Sequence, residues 1–263
     1  ITGLKRTEDG IFRNGVRAWT SQAVHAGDVI ETHLVETEPS DGILPRPVPF
    51  SVVYEDDDIL VVDKPADTPI HPSIGNYENT LANGIAWYFE QKGEPFVYRC
   101  INRLDRDTTG LIVLAKHALS AAVLSQAMRS REIHRTYQAF ALGETAASGT
   151  IDAPIARLDG SLIQRTVDFA SGERSVTHYR TLAHCSVFSH LELNLETGRT
   201  HQIRVHMAYI GHPLLGDTLY NKTPGTFPRQ ALHSASLSFV HPITGEPLNF
   251  HAPLPEDMQN LLT

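Results

Sequence analysis

The run Gly110-Leu-Ile-Val-Leu-Ala115 restricts the fold more than any other stretch of this chain. An uninterrupted apolar run of that length, opened by glycine and closed by Lys116, reads as a strand covered on both faces. Such a strand requires a layered domain with a real core. The chain can supply one: it has 263 residues, 41% hydrophobic and 20% charged, which excludes disorder, collagen-like repeats and coiled coil as its main state. No apolar run approaches the roughly 20 residues that cross a bilayer, and residues 1–10 have no signal-peptide pattern. The two cysteines, Cys100 and Cys185, form neither a disulfide framework nor a CxxC site. The expectation is a cytoplasmic protein with no membrane partner.

Around that run, short β-branched or alternating patterns predict strands at 51–54, 59–63, 110–116, 135–142, 175–182, 188–195, 231–240 and 248–251. Helical patterns cover 81–91, 118–129 and 200–210, the last closed by Gly211 and Pro213. This predicts an α+β fold with a mixed, mainly antiparallel central sheet and flanking helices. Pro45, Pro47 and Pro49 mark a linker over residues 39–49 and set the main domain at 50–263. Residues 1–38, with turn signals at Arg13-Asn14-Gly15 and Ala26-Gly27-Asp28, are too few to bury a core alone.

The formal charge of −8 argues at first against nucleic acid, whose phosphates need Lys and Arg. Its distribution removes that objection. Residues 31–67 hold ten acids and two bases, so they carry the whole excess. Residues 99–137 hold seven bases and three acids. This predicts a one-sided molecule, with any nucleic acid on the Arg103–Arg135 face and the acidic segment turned away.

Three stretches could carry chemistry. In Ile101-Asn-Arg-Leu-Asp-Arg-Asp-Thr-Thr-Gly110, Asp105 sits between Arg103 and Arg106 and the loop feeds the buried strand. A mixed-charge surface loop would look similar, but rigid support and neighbouring cations also suit an ionised carboxylate acting as nucleophile or base. Asp105 and Asp107, two residues apart, make a poor glycosidase pair, because such carboxylates normally come from distant segments. In Thr197-Gly-Arg-Thr-His-Gln-Ile-Arg-Val-His206, Arg199, His201, Arg204 and His206 crowd a turn that opens a helix. The histidines are five apart with no intervening Glu of an HExxH motif, so a metal is not expected. An arginine at a helix N-terminus suits a phosphate, or a carboxylate from elsewhere in the fold. In Arg135-Thr-Tyr-Gln-Ala139, alternation puts Arg135, Tyr137 and Ala139 on one strand face, where Tyr137 is either plain core or a ring for a nucleobase. The chain lacks GxxxxGK[ST], GxGxxG and GxSxG, so no nucleotide cofactor is expected.

Taken in order, these blocks resemble the RluA-type pseudouridine synthases. The loop resembles the family signature His-Arg-Leu-Asp-x-x-Thr-Ser-Gly, with Asn102 and Thr109 where His and Ser are commonest. The likeness also runs through Lys64-Pro-Ala-Asp-Thr-Pro-Ile-His-Pro-Ser73, the Arg135 and Thr197 stretches, Gly211-His-Pro-Leu-Leu-Gly-Asp217 and Leu232-His-Ser-Ala235. Residues 10–30 resemble the second half of a small RNA-binding module of the ribosomal-protein S4 type. The resemblance implies the pseudouridine synthase fold and a monomer that flips a uridine out of structured RNA, breaks its N-glycosidic bond and rejoins uracil through carbon 5. It makes Asp105 the catalytic carboxylate, Arg204 its partner and Tyr137 the ring that stacks on uracil and carries a proton. Arg103 would fill the gap left by the flipped base, and Arg106, Thr108, Arg135, Arg199 and His201 would contact substrate. No cofactor or metal is implied, and large-subunit (23S) ribosomal RNA is favoured over tRNA. Two other readings compete: a non-catalytic RNA-binding or ribosome-assembly protein on the same fold, and a glycoside hydrolase using Asp105 with another acid.

Overall fold

The computed structural model describes residues 10–33, 39–185 and 187–262. The expected module boundary at residue 38, the start of that module and residue 36–38 acids therefore lie outside the described residues. Strands β1 (Ile11–Arg13), β2 (Val16–Arg17) and β3 (Ile30–Thr32) form a small antiparallel sheet in the order β2-β1-β3. Its hairpin turns on Asn14 and Gly15, both at positive φ (52° and 74°), as a two-residue turn between right-twisted strands demands. None of its eight strand positions is buried, in keeping with a segment that has no core of its own.

The main body runs β4 (Ser51–Glu55), β5 (Ile59–Lys64), α1 (Leu81–Lys92), β6 (Thr109–Ala115), α2 (Ala118–Arg129), β7 (His134–Leu142), β8 (Ser148–Asp152), β9 (Ile155–Arg157) and β10 (Arg165–Val167). It continues with β11 (Val176–Cys185), β12 (Phe188–Leu195), α3 (Gln202–Tyr209), β13 (Leu232–Val240), β14 (Pro247–His251) and α4 (Glu256–Gln259). One sheet has the order β4-β5-β6-β13-β7-β12-β11-β8, with β14 beside β13; β9 and β10 pair separately. Its pairings are antiparallel except β6 with β13. The fold is the expected α+β sheet with few helices.

Every residue of β6 is buried. Ile112 and Leu114 point into a layer shared with Leu81, Ile85 and Phe89 of α1 and Ile203 and Met207 of α3. Leu111, Val113 and Ala115 point the other way, against Leu124 of α2. The apolar run is continuous because both faces are covered. Helix α1 starts where Thr80 and Asn83 form a reciprocal capping box and stops at Gly93 in the left-handed region.

The parallel seam pairs Thr109 and Gly110 with His233 and Ser234. Gly110 has φ 112°, and a Cβ there would lie 2.3 Å from the Ser234 carbonyl oxygen. Backbone meets backbone, so no side chain can give way. Gly110→Ala is therefore expected to cost about 3 kcal/mol or more, read as a fall in the urea midpoint; an unchanged midpoint would refute this account of the seam.

Candidate active site

Asp105 lies in the loop that enters β6, and Arg204 lies in the first turn of α3, yet Arg204 Nη1 donates to Asp105 Oδ2 at 2.9 Å. The rest of the guanidinium is fixed by Asp217, with Nε to Oδ2 at 2.7 Å and Nη2 to Oδ1 at 2.9 Å. Asp217 is fully buried and also accepts the N–H groups of Leu219 and Tyr220. Burial opposes the charge on Arg204, but the hydrogen bonds and charges of Asp217 and Asp105 outweigh it and push the guanidinium further above its ordinary value. A two-toothed grip on one side leaves a single N–H aimed at the other carboxylate. Asp105 is the more open of the two, its side chain 24% exposed. His201 Nε2 lies 3.9 Å from its Oδ1.

The Asp105 loop is held from beneath. Asn102, at the position where the family commonly has His, donates to the Leu111 carbonyl (3.1 Å) and accepts from Val113 N–H (2.9 Å), which ties the loop to β6. Thr109 and His233 bond at 2.8 Å; His233 Nε2 faces the Ala252 carbonyl, which leaves Nδ1 to accept the threonine hydroxyl. Lys64, fully buried at the end of β5, donates to the carbonyls of Pro65 (2.7 Å) and Arg106 (2.8 Å). Gln202 joins Thr197, the Arg199 N–H, Val176 and Thr177, which anchors the loop before α3. Asp217, Lys64 and Gln202 lie in or beside motifs legible in the sequence, but only a buried position distinguishes a clamp from a surface charge.

Burial is what pushes the Lys64 ammonium down to about 7 from 10.5, against attraction from Asp107 and Asp105. The unfolded chain keeps that proton to higher pH than the folded chain does, so this group makes stability rise between about pH 7 and pH 10. Lys64→Met should flatten the climb of the urea midpoint over that window relative to the unsubstituted chain. Equal slopes would overturn the assignment.

Beside Asp105 opens a cleft of about 890 Å³ whose lining includes five arginines (103, 129, 131, 135 and 199) and two acids, Asp105 and Glu196. Among the described residues, the Arg103 and Arg135 side chains make no hydrogen bond or ion pair, and Arg135 Nε is buried without a partner. Arg199 pairs with Glu173 at 2.5 Å. A second pocket of about 60 Å³ joins Asp105 to Tyr137, Thr108, His201 and Arg204. Tyr137 is 4% exposed in the core layer, and it also lines this pocket. Thr108 is buried and accepts from Gln230 at 3.3 Å. His71 lines the same cleft and packs edge-on against Tyr98, and spacing alone did not single it out.

Two expectations need adjustment. Arg106 lines neither pocket and instead pairs with Asp67. Asp107 accepts the Asp67 N–H at 3.2 Å and lies outside both, in keeping with a poor glycosidase pair, while Glu196, the other acid of the cleft, is paired with Arg131, Arg174 and His178. The acidic segment is split: Glu55 faces Lys92 and Lys116, and Asp56 and Asp58 face His241 and His117, all away from the cleft, while Asp67 reaches the active loop through Arg106. The Asp56, Asp58 and His241 atoms lie close enough together to suggest a cation. However, His241 Nδ1 accepts the N–H groups of Ile243 and Thr244, so its proton sits on Nε2 and is donated to Asp56. The cluster is a closed hydrogen-bond network. His206, at 0% exposure between Thr177 and Ala153, is structural as well. Among the described residues, no helix is long and apolar enough to cross a membrane.

The family model for RNA pseudouridylate synthase matches residues 58–209. A Bacillus subtilis protein, the uncharacterized RNA pseudouridine synthase YjbO, is 42% identical over 263 residues, spanning 100% of this chain and 93% of the relative. Ribosomal large subunit pseudouridine synthase D of Vibrio cholerae is 43% identical over 251 residues, spanning 89% and 76%. The protein of the same name in Escherichia coli strain K12 is 41% identical over 241 residues, spanning 86% and 74%. Of solved structures, human RNA pseudouridylate synthase domain containing 1 superposes with a TM-score of 0.66 at 26% identity, covering 82% of this chain and 86% of that one.

Proposed function

The chain belongs to the RNA pseudouridylate synthase family, and from that premise we propose that it isomerises uridines in structured large-subunit ribosomal RNA with Asp105 as the catalytic carboxylate. One observation carries the reading. A carboxylate aimed by a buried, doubly clamped arginine stands between a cleft rich in arginine and a small pocket bordered by a tyrosine ring. The cleft offers phosphate contacts, with Arg103 and Arg135 free to make them. The small pocket offers a place for one flipped base.

In this mechanism Tyr137 stacks on the uracil while Asp105 acts on the ribose. The C1′–N1 bond breaks, uracil rotates, and a C1′–C5 bond forms. The proton displaced from C5 is balanced by one gained at N1, with the Tyr137 hydroxyl as its carrier. The planar Arg103 guanidinium occupies the space vacated in the RNA stack. Arg204 holds the Asp105 carboxylate in place throughout. The Arg17 guanidinium lies 4.6 Å above the exposed Trp19 ring, a pairing that supports reading residues 10–33 as an RNA contact surface.

Ribosomal RNA is favoured because two of the similar proteins carry the large ribosomal subunit in their names. Mapping pseudouridine in RNA from cells with and without the gene tests the proposal. Loss of large-subunit positions is expected, restored by the unsubstituted chain. Loss confined to tRNA overturns the substrate, and an unchanged map overturns the function.

A further inference from the structure

Asp105 has two oxygens, and Arg204 engages only Oδ2. Oδ1 is faced by His201 Nε2. His201 is a non-glycine residue in the left-handed region (φ 57°) at the N-cap of α3, and its side chain makes no capping bond. A conformation of that cost persists where something else holds it. Here it directs the ring between Asp105 and Tyr220, whose hydroxyl lies 2.7 Å from His201 Nδ1.

The hydrogen-bond inventory favours one arrangement of protons. The Tyr220 oxygen accepts the backbone N–H of Arg165 on β10 at 2.9 Å. Among the described residues, the acceptor in reach of the Tyr220 hydrogen is His201 Nδ1. With Nδ1 accepting that hydrogen, the neutral ring carries its proton on Nε2, toward Asp105. The Tyr220 ring packs edge-on to His201 and lies 5.1 Å from the centre of the Arg204 guanidinium, so one side chain contacts both partners of Asp105. The charged groups around His201 are Asp105, Arg204, Asp217 and Arg165, and burial, the largest effect, keeps the ring neutral.

We propose that Tyr220 is a positioning residue, which fixes the tautomer of His201 so that Nε2–H is held ready for Asp105 Oδ1 while Arg204 holds Oδ2. The inference rests on the isomerase reading above. The proposal requires the 3.9 Å separation to shorten to hydrogen-bond distance in the complex with RNA. The Arg165 contact makes β10, and hence the β9–β10 hairpin, part of the support for the catalytic carboxylate.

Two measurements test it. Ring ¹⁵N spectra of the unsubstituted chain should show His201 protonated on Nε2 alone; protonation on Nδ1 overturns the proposal. Tyr220→Phe keeps the ring against Arg204 and removes only the hydroxyl. It should mix the His201 tautomers and lower the single-turnover rate about tenfold, the kinetic equivalent of one hydrogen bond, with the KM for RNA within about twofold. An unchanged rate, or a loss that falls on KM alone, overturns it. His201→Gln, which can still present an N–H to Oδ1, should retain more activity than His201→Leu; equal losses overturn the donor role. If the unsubstituted chain isomerises no uridine in ribosomal RNA or tRNA, the isomerase reading fails, and the ring spectra still decide the tautomer.

Discussion

Asp105→Asn leaves a chain that folds, binds its RNA and forms no pseudouridine, with the single-turnover rate down by about 10⁴-fold or more. The substitution is nearly isosteric, and the amide oxygen can still accept from Arg204 Nη1, which now lies 2.9 Å from Oδ2. What is removed is the negative charge that lets the side chain act on the ribose, and no neighbour can replace it. Asp107 is engaged with the Asp67 N–H and Asp217 is buried beneath Arg204. RNA affinity should stay within about threefold, because the cleft's cationic surface comes from Arg103, Arg129, Arg131, Arg135 and Arg199. Release of tritium from RNA labelled at uridine C5, with filter binding in parallel, measures both. A rate within tenfold of the unsubstituted chain would remove Asp105 from the chemistry. A matching loss of RNA binding would make it a binding residue.

The sequence carried the fold where burial is one-directional or complete. Strand β6 is legible because a strand covered on both faces is apolar throughout, β12 because its apolar positions alternate, and α2 because it is rich in Ala and Leu. Strands β8, β9 and β10 escaped notice because they are three to five residues long and mostly polar, held by backbone bonds to their neighbours. Strand β11 runs to Cys185, past its predicted end, because its last residues are exposed and keep no alternation. At the site, no local pattern could join Asp105 to Arg204 across 99 positions; the family resemblance implied that pairing, and the seam between β6 and β13 brings the segments together. Arg106 shows the opposite limit. Its position beside Asp105 suggested RNA contact, but charge alone could not reveal that Asp67 would take it. The net charge was misleading for the same reason. Glu55, Asp56 and Asp58 are consumed by Lys92, Lys116, His117 and His241, and so do not oppose the arginine cleft.

Asp217→Ala should destabilise the chain by about 3–5 kcal/mol, because it leaves a buried guanidinium without its bidentate partner. The N–H groups of Leu219 and Tyr220 lose their acceptor in the same step. For a chain of this size that is a fall in Tm of roughly 6–20 °C, read by calorimetry. Isomerisation should fall with it. Once Asp217 is gone, Arg204 can turn its fork fully onto Asp105 and pull the carboxylate out of line, so the loss falls on kcat while KM for RNA holds. Stability and catalysis can then be separated by removing both ends of the clamp. Arg204→Met with Asp217→Leu replaces a buried ion pair by apolar groups of similar volume, an exchange that proteins often tolerate. The double variant should regain part of the stability lost in Asp217→Ala, short of all of it because Leu219 and Tyr220 remain without an acceptor. It should stay inactive, since nothing then aims Asp105. If the double variant is active, the clamp serves the fold alone; if it is no more stable than Asp217→Ala, the stranded guanidinium is not the cause of the instability.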